Sequence, residues 1–300
     1  MLASCSHNKK SSSESGAKIY KGTLNVAVDQ SLAPVIKLQQ EVFEYFYDSI
    51  QLNLSFENEQ QMFADFKSKK STVMILARPL TQPEIENLKK NDTIYVSQFF
   101  VAYDAVALIA NKNFDDSNLD TAVLKKYFSP QDTSSTMPRL VFGNQSSSVV
   151  RYVLDYLGYK EKISPNVFAM KSTDEVINYV STNENSIGFI PYNVISDTQN
   201  EQTKSVMEKI KILSLRAIAK NGETIRVSAN QSDIITGDYP LIRTVNVVTR
   251  YTHDDNLESL FFKFLGDRKG EKIFLRAGLV PVKMYERDII VNESKAIGSK

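Results

Sequence analysis

Short apolar segments of strand type alternate along this chain with segments whose apolar residues recur at every third or fourth position. Residues 23–28 (Thr-Leu-Asn-Val-Ala-Val) begin the series with the alternation that is typical of a β-strand. After a polar turn, the apolar residues between Val35 and Phe46 follow helical spacing. The same order of strand, turn and helix recurs down the chain, so we predict an α/β fold with a mainly parallel sheet.

The composition favours a binding protein over an enzyme or a nucleic-acid-binding protein. The 300 residues are 42% hydrophobic, which is enough for two domains or for one large domain divided by a cleft. Lys plus Arg (36) nearly equals Asp plus Glu (35), so no overall charge would attract nucleic acid. With two His and one Cys, a Cys/His zinc site and an internal disulfide are close to excluded. Any Ser-His-Asp triad would need His253, so we expect no enzyme, no metal and no cofactor.

The first residues resemble a lipid-attachment signal. Met1 to Cys5 (Met-Leu-Ala-Ser-Cys) is similar to a bacterial lipobox, whose cysteine is lipidated and becomes the mature N-terminus. Residues 7–16 are mostly Ser, Lys and Asn, as expected for a disordered tether, and no apolar run of 18 residues follows. We expect a lipidated Cys5, a lipobox and tether over residues 1–22, and a position in the periplasm or at the cell surface. A chance cysteine near a terminus is the alternative.

Two polar turns lie where helices begin and carry suitable donors for an anion. One is Gln30-Ser31 and the other is Ser146-Ser147-Ser148. The first N–H groups of a helix have no partner within the helix, and the helix dipole places positive charge there. Serine is also the common N-cap residue, so capping alone is the alternative for both turns, with Ser31 as a plausible N-cap of its helix.

Two charged residues stand out against apolar surroundings. Arg78 follows the predicted buried strand 72–76 after Ala77, and its guanidinium is a fork of donors suited to oxyanions. Asp104 is the only charge in the most apolar run of the chain, residues 99–110. A solvated surface charge is the alternative for Arg78, and a turn of the chain at a hinge is the alternative for Asp104.

Five segments, taken in order, resemble segments of the PstS-like phosphate-binding periplasmic proteins, the substrate-binding lipoproteins of ABC importers. They are Tyr103 to Asn111, Leu124 to Phe128, Asn183 to Tyr192, Tyr239-Pro240-Leu241, and Gly270 to Pro281. The likeness covers about residues 23 to 283.

This resemblance implies the type II periplasmic-binding-protein fold. Two α/β lobes with mixed, mostly parallel sheets would be joined by two crossing strands and would close on an oxyanion in the cleft between them. The crossover at Asp104 and the return through residues 239–241 place lobe I at 23–103 plus 245–300 and lobe II at 104–244.

The resemblance also suggests which residues bind the anion. The three serines occupy the place of the family's Ser-Gly-Thr phosphate loop, and Arg78 matches an arginine of some family members. Arg151, one turn into the helix after the serines, could reach the same anion or lie on a solvated face. The candidate ligand-binding residues are Gln30, Ser31, Asn58, Arg78, Asp104, Asn144, Ser146, Ser147 and Ser148.

Three departures from the family pattern concern the ligand. Ala77-Arg78 stands where phosphate binders have Ser-Asp, whose carboxylate accepts the proton of hydrogen phosphate, and Phe142 replaces an arginine. Glu57-Asn58-Glu59 replaces a glycine-serine loop, and its charges would repel an anion unless one carboxylate takes over the proton-accepting role.

Two functions follow from these patterns. The first is a monomeric, lipid-anchored solute-binding protein that captures an oxyanion, phosphate by default, for the permease of an ABC importer. The alternative is a surface interaction or sensing lipoprotein with the same fold and weakened or lost anion binding, which Glu57 and Glu59 favour.

Overall fold

The computed structural model describes residues 20–90, 96–131, 136–159, 162–219, 221–250 and 256–283. Cys5, residues 1–19 of the predicted tether, His253 and the end of predicted lobe I lie outside the described residues, whereas Gly22, the last residue of the predicted tether, begins the first strand. Within the described part of the chain, no helix is long and apolar enough to cross a membrane.

The described strands are, in chain order, β1 (Gly22–Asp29), β2 (Ile50–Glu57), β3 (Val73–Leu76), β4 (Ser97–Asn111), β5 (Arg139–Phe142), β6 (Val167–Ala169), β7 (Ser186–Pro191), β8 (Ile210–Ile212), β9 (Leu215–Ile218), β10 (Thr224–Val227), β11 (Ile242–Thr249) and β12 (Val280–Pro281).

The described α-helices are α1 (Ala33–Phe46), α2 (Glu59–Lys67), α3 (Gln82–Lys90), α4 (Thr121–Tyr127), α5 (Ser148–Leu157), α6 (Thr173–Thr182), α7 (Glu201–Lys209), α8 (Gln231–Thr236), α9 (Leu257–Leu265) and α10 (Arg268–Arg276). Short 3-10 turns occupy Gln30–Leu32 and Tyr192–Val194.

One mixed sheet runs through the molecule in the order β2-β1-β3-β11-β4-β7-β5-β6, and β8 and β12 also pair with β4. Pairing is parallel in both outer parts, where β1 joins β2 and β3 and β5 joins β6 and β7. The middle is antiparallel, because β11 pairs with both β3 and β4. The predicted α/β class is confirmed.

Strand β4 is long enough to serve both parts of the sheet. Its residues 97–105 pair with β11, and its residues 106–109 pair with β7. The predicted lobe limits, 103/104 and 244/245, fall on the paired strands β4 and β11 and stay a prediction.

Separate hydrophobic cores lie on the two sides of this junction. One is built on β1, α1 and the C-terminal helices, where the ring of Phe43 meets Phe261 and Phe264 edge-on, with centroids 5.2 Å apart in each pair. The other surrounds β4, β5 and β7 and includes Leu108 and Phe189. Edge-to-face pairs of this kind contribute about 0.5–1.5 kcal/mol beyond their buried area. Helices α9 and α10 therefore belong to the core of α1.

Candidate functional site

A buried group of polar side chains joins the two cores at the junction. The hydroxyl oxygens of Ser31 and Ser148, 117 positions apart in sequence, are 3.1 Å from each other. The Ser148 hydroxyl also donates to Oδ1 of Asp29 at 3.0 Å. All three residues are at most 8% exposed. The polar turns predicted from the sequence thus meet, with a carboxylate beside them.

Asp29, rather than Ser31, caps the first turn. Its Oδ1 accepts the N–H of Ser31 at 2.9 Å, and Leu32, at the N-cap of α1, makes no capping hydrogen bond through its side chain. The expectation that Ser31 is the N-cap is wrong, because Asp29 lies two residues earlier in the extended conformation that turns its side chain back onto the Ser31 amide. The Ser31 hydroxyl faces Ser148 instead.

A buried ion pair completes the cluster. Arg243 and Asp104 are direct partners in the β11–β4 pairing, and Nη2 of Arg243 donates to Oδ2 of Asp104 at 2.5 Å. Nη1 of Arg243 donates to the Ser148 hydroxyl at 3.2 Å. Both charged side chains are 0% exposed. Asp104 lies inside β4, so the alternative of a simple hinge turn is wrong: its charge is balanced by an arginine.

Several buried atoms of this cluster have unused hydrogen-bonding capacity. Asn193 donates from Nδ2 to the Ser31 carbonyl at 2.9 Å, but its Oδ1 has no partner among the described residues. The same is true of Asp29 Oδ2, Asp104 Oδ1 and Arg243 Nε. Buried polar atoms are normally satisfied, and one left without a partner costs about 1–3 kcal/mol. The cluster can therefore offer acceptors and a donor to a small polar ligand. We call Asp29, Ser31, Asp104, Ser148, Asn193 and Arg243 the junction cluster.

A second charged group links α2 to α5. Glu59 accepts from Nε and Nη2 of Arg78, at 3.2 and 2.7 Å, and from Nη2 of Arg151 at 2.7 Å. Nη1 of Arg151 also contacts Glu59. Arg78 is further held by Glu84, at 2.6 and 2.7 Å, and by the Pro79 carbonyl at 2.9 Å. We call this group the Glu59 bridge.

The bridge leaves Arg78 with all five of its N–H donors engaged by protein acceptors. Burial opposes the charged form of Glu84, but Arg78 and the Thr81 N–H outweigh it and lower the pKa of Glu84 to about 2. The pKa of Arg78 is raised despite its burial, because Glu84 and Glu59 stabilise the guanidinium.

Two cavities flank the junction cluster. The smaller, about 110 Å³, lies where the N-termini of α2 and α5 face each other, and Arg151 lines it. It is further lined by Asn58, Glu59, Gln60, Ser146, Ser147 and Ser148. The larger, about 270 Å³, begins at Gln30 and Ser31 and extends past Asn144 toward α6.

The structure groups the sequence-predicted residues as follows. Ser31, Ser148 and Asp104 belong to the junction cluster. Asn58, Ser146 and Ser147 line the small cavity, and Gln30 and Asn144 line the large one. Among the contacts of the described residues, Arg78 reaches α5 only through Glu59. Asn144 also accepts the Ser146 N–H at 2.9 Å, which shapes the serine turn. Ligand contact at each of these residues stays a prediction.

Sequence reasoning missed Asp29, Asn193 and Arg243. A signal existed for Arg243, since a lone buried carboxylate such as Asp104 requires a cation, and a charged residue at the start of an apolar strand was a candidate. The signal for Asp29 was its place at the end of β1, directly before the polar turn. Asn193 gave no signal that distinguishes it from a surface amide.

Comparison with known sequences and structures gives the following. The sequence profile of the PBP superfamily domain matches residues 12–266. No curated protein sequence matches the chain. A crystal structure from Clostridium perfringens, assigned as a phosphate ABC transporter substrate-binding protein with bound phosphate, is similar with a TM-score of 0.69, 17% identity, and coverage of 87% of this chain and 100% of that one.

Two further structures have the same fold. An ABC-type phosphate transport receptor from Vibrio cholerae has a TM-score of 0.65 and 16% identity, with coverage of 86% of this chain and 99% of that one. A protein from Planctomyces limnophilus DSM 3776, described as a possible phosphate binding protein, has a TM-score of 0.59 and 19% identity, with coverage of 88% and 94%. At these identities the likeness establishes the fold.

Proposed function

Since this chain belongs to the PBP superfamily, with residues 12–266 matching its domain, we propose that it is the solute-binding component of an ABC importer. It captures an inorganic oxyanion, phosphate by preference, between its two lobes and delivers it to the permease. The predicted resemblance to the phosphate-binding periplasmic fold, which is confirmed, supports this role.

The observation that carries the proposal is the contact between Ser31 and Ser148. Two hydroxyls from opposite sides of the junction meet at 3.1 Å, next to the buried guanidinium of Arg243. An anion that enters as the lobes separate would replace this contact, accept from both hydroxyls and from Arg243 Nε, and hold the lobes together on closure. Affinity would then come from charge-assisted hydrogen bonds assembled by closure.

The charges of the junction cluster favour an anion that carries a proton. The cluster holds two carboxylates, Asp29 and Asp104, and one guanidinium, so an anion without a proton, such as sulfate, would place its oxygens against a carboxylate with no hydrogen bond between them. Hydrogen phosphate can instead donate its proton to Asp29 Oδ2, which has no protein partner among the described residues. Glu59 is a poor candidate for this role, because two arginines already occupy its oxygens.

Calorimetric titration of the chain with phosphate and sulfate tests the proposal, with Cys5→Ser used to prevent lipidation. We expect wild type to prefer phosphate and Asp29→Asn to lose roughly 10- to 150-fold of that preference, because a hydrogen bond to a charged group contributes about 1.5–3 kcal/mol. Ser31→Ala is the control, since a lost neutral hydroxyl should weaken both anions alike. If wild type binds neither anion at millimolar concentration, the proposal is rejected.

The proposal includes a monomeric protein held at the outer face of a bacterial membrane by a lipid on Cys5, the residue that the lipobox-like sequence singles out. Labelled palmitate should enter the natural full-length product and not its Cys5→Ala variant. Equal labelling of the two would remove the anchor from the proposal.

The Glu59 bridge favours a second candidate function. Glu59, which lines the small cavity, accepts hydrogen bonds from Arg78 and Arg151. These two guanidinium groups are therefore already engaged and are not available to an external anion. A protein that closes on its own carboxylate could serve as a surface interaction or sensing protein with weak anion binding. Under this function, Glu59→Gln would create phosphate binding where wild type has none.

A further inference from the structure

The large cavity is more than a tetrahedral oxyanion needs. Its volume is about 270 Å³, whereas a water molecule takes roughly 30 Å³ in the liquid and phosphate has only five non-hydrogen atoms. It begins at Ser31, whose hydroxyl belongs to the proposed anion site, and it passes between the start of α1 and the residues around β7. An anion held at Ser31 and Ser148 would thus have open space on one side.

The wall of this space is apolar between α1 and β7, whereas Lys171 and Asp174 line its end near α6. Ala33 and Pro34 line it from α1, and Val149, Phe189 and Val194 line it from the other side of the junction. These apolar residues cannot replace the hydration shell of a second ion, whose burial without partners is costly. They can replace water around a hydrocarbon group, which favours binding by about 0.8 kcal/mol for each CH₂.

We infer that the ligand carries an organic substituent: the site takes a phosphonate or phosphate monoester whose phosphoryl group binds the junction cluster and whose short apolar chain lies in the large cavity. The inference rests on the proposed anion site. The bound species is the singly charged, protonated form, because its remaining P–OH can donate to Asp29 Oδ2 and its single charge suits a cluster with two carboxylates and one guanidinium.

The test is a chain-length series with one head group. Methyl-, ethyl-, propyl- and butylphosphonate are titrated calorimetrically into the full chain with Cys5→Ser, at one mildly acidic pH, with inorganic phosphate in parallel. All members of the series carry the same charge, so differences in affinity report the carbon chain alone. We expect affinity to rise about fourfold with each added methylene group until the cavity is filled.

Two substitutions fill the cavity from opposite sides. Ala33→Phe does so from α1 and Val194→Phe from the 3-10 turn after β7, and each should abolish the dependence on chain length while phosphate and methylphosphonate still bind. Leu38→Phe is the matched control, because Leu38 lies on α1 and lines the neighbouring cavity of about 340 Å³. Thermal unfolding confirms that each variant is folded.

The outcomes separate this inference from the proposed function. If phosphate binds but affinity does not depend on chain length, the inference is overturned and the inorganic oxyanion stands. An unchanged chain-length dependence in both filled variants also overturns it, since the chain then lies elsewhere. If no anion of the set binds, the proposed function and the inference fall together.

Discussion

Arg243 and Asp104 form the most deeply buried ion pair among the described residues, with both side chains 0% exposed. Removing one partner of such a pair leaves an unbalanced charge and costs about 3–5 kcal/mol, whereas an apolar pair of similar volume is often tolerated. We expect Arg243→Met to lose about that much stability and the double variant Asp104→Leu/Arg243→Met to lose clearly less. Urea unfolding measures both. Equal losses in the two variants would contradict a coupled pair.

Glu84 gives a residue-level prediction of pH dependence. Its folded pKa, about 2, lies below the value of about 4.3 for a free glutamate. A carboxyl with a lowered folded pKa stabilises the fold above the unfolded pKa, and this contribution disappears as the pH falls through the folded value. The stability difference between wild type and Glu84→Gln should therefore be largest near pH 7 and shrink from about pH 4.5 toward pH 2. A constant difference across that range would contradict the assignment.

At the residue scale, the sequence singled out Asp104 of the buried ion pair but not its partner, Arg243. Asp104 is conspicuous because it is the only charge in an apolar run. Its partner lies 139 positions away and is chosen by the register of β11 against β4. Strand register between distant segments depends on how whole sheets assemble, so local pattern could mark Arg243 as a candidate but could not assign it to Asp104.

At the scale of the elements, the ends of a helix were predictable where neighbouring residues cap it. The apolar residues after the serines recur at helical spacing and Gly158 follows them, a pattern that is typical of a helix with a C-terminal glycine. Helix α5 runs from Ser148 to Leu157, with Gly158 in the left-handed conformation at φ 78°. Ser147 accepts the Val150 N–H at its start, as a capping serine does. What α5 contacts was not predictable, because Glu59 of α2 reaches it from a distant part of the chain.

The Glu59 bridge connects α2 to α5 in the ligand-free protein, and this connection can be tested. Glu59→Gln weakens the contacts to Arg78 and Arg151, and charged hydrogen bonds of this kind contribute about 1.5–3 kcal/mol. We expect the variant to populate an open form, with a larger radius of gyration by small-angle X-ray scattering, at least about tenfold more than wild type.

Glu84→Gln is the matched control for that experiment. It also removes a carboxylate from Arg78, but the described contacts of Glu84 are with Arg78, at 2.6 and 2.7 Å, and the Thr81 N–H, so they do not reach α5. Scattering that changes equally in both variants would show that Glu59 does not tie the two helices together.

For the whole molecule, one sheet carries the hydrophobic cores on both sides of the junction. Strands β4 and β11 run through its middle, and the junction cluster sits on them, with Asp104 and Arg243 paired directly across the strands. The alternation of strand and helix patterns was enough to predict the α/β class, and the five family-like segments were enough to predict the fold. Neither could show that Asp29 and Arg243 would join the predicted serines, since that requires both lobes to be in place.

Ligand linkage gives a prediction for the whole chain. A ligand that binds only the folded protein should stabilise it by about 2.7 kcal/mol at 100 times its dissociation constant, which raises the unfolding midpoint by roughly 4–5 °C in a chain of this size. We expect phosphate to produce this shift in one cooperative transition, because the Ser31–Ser148 contact spans both cores, and Ser148→Ala to reduce it. Scanning calorimetry measures the midpoint, with sulfate as the control anion. A phosphate-independent midpoint in wild type, together with a phosphate-dependent one in Glu59→Gln, would contradict the transport function and favour a protein that closes on its own carboxylate.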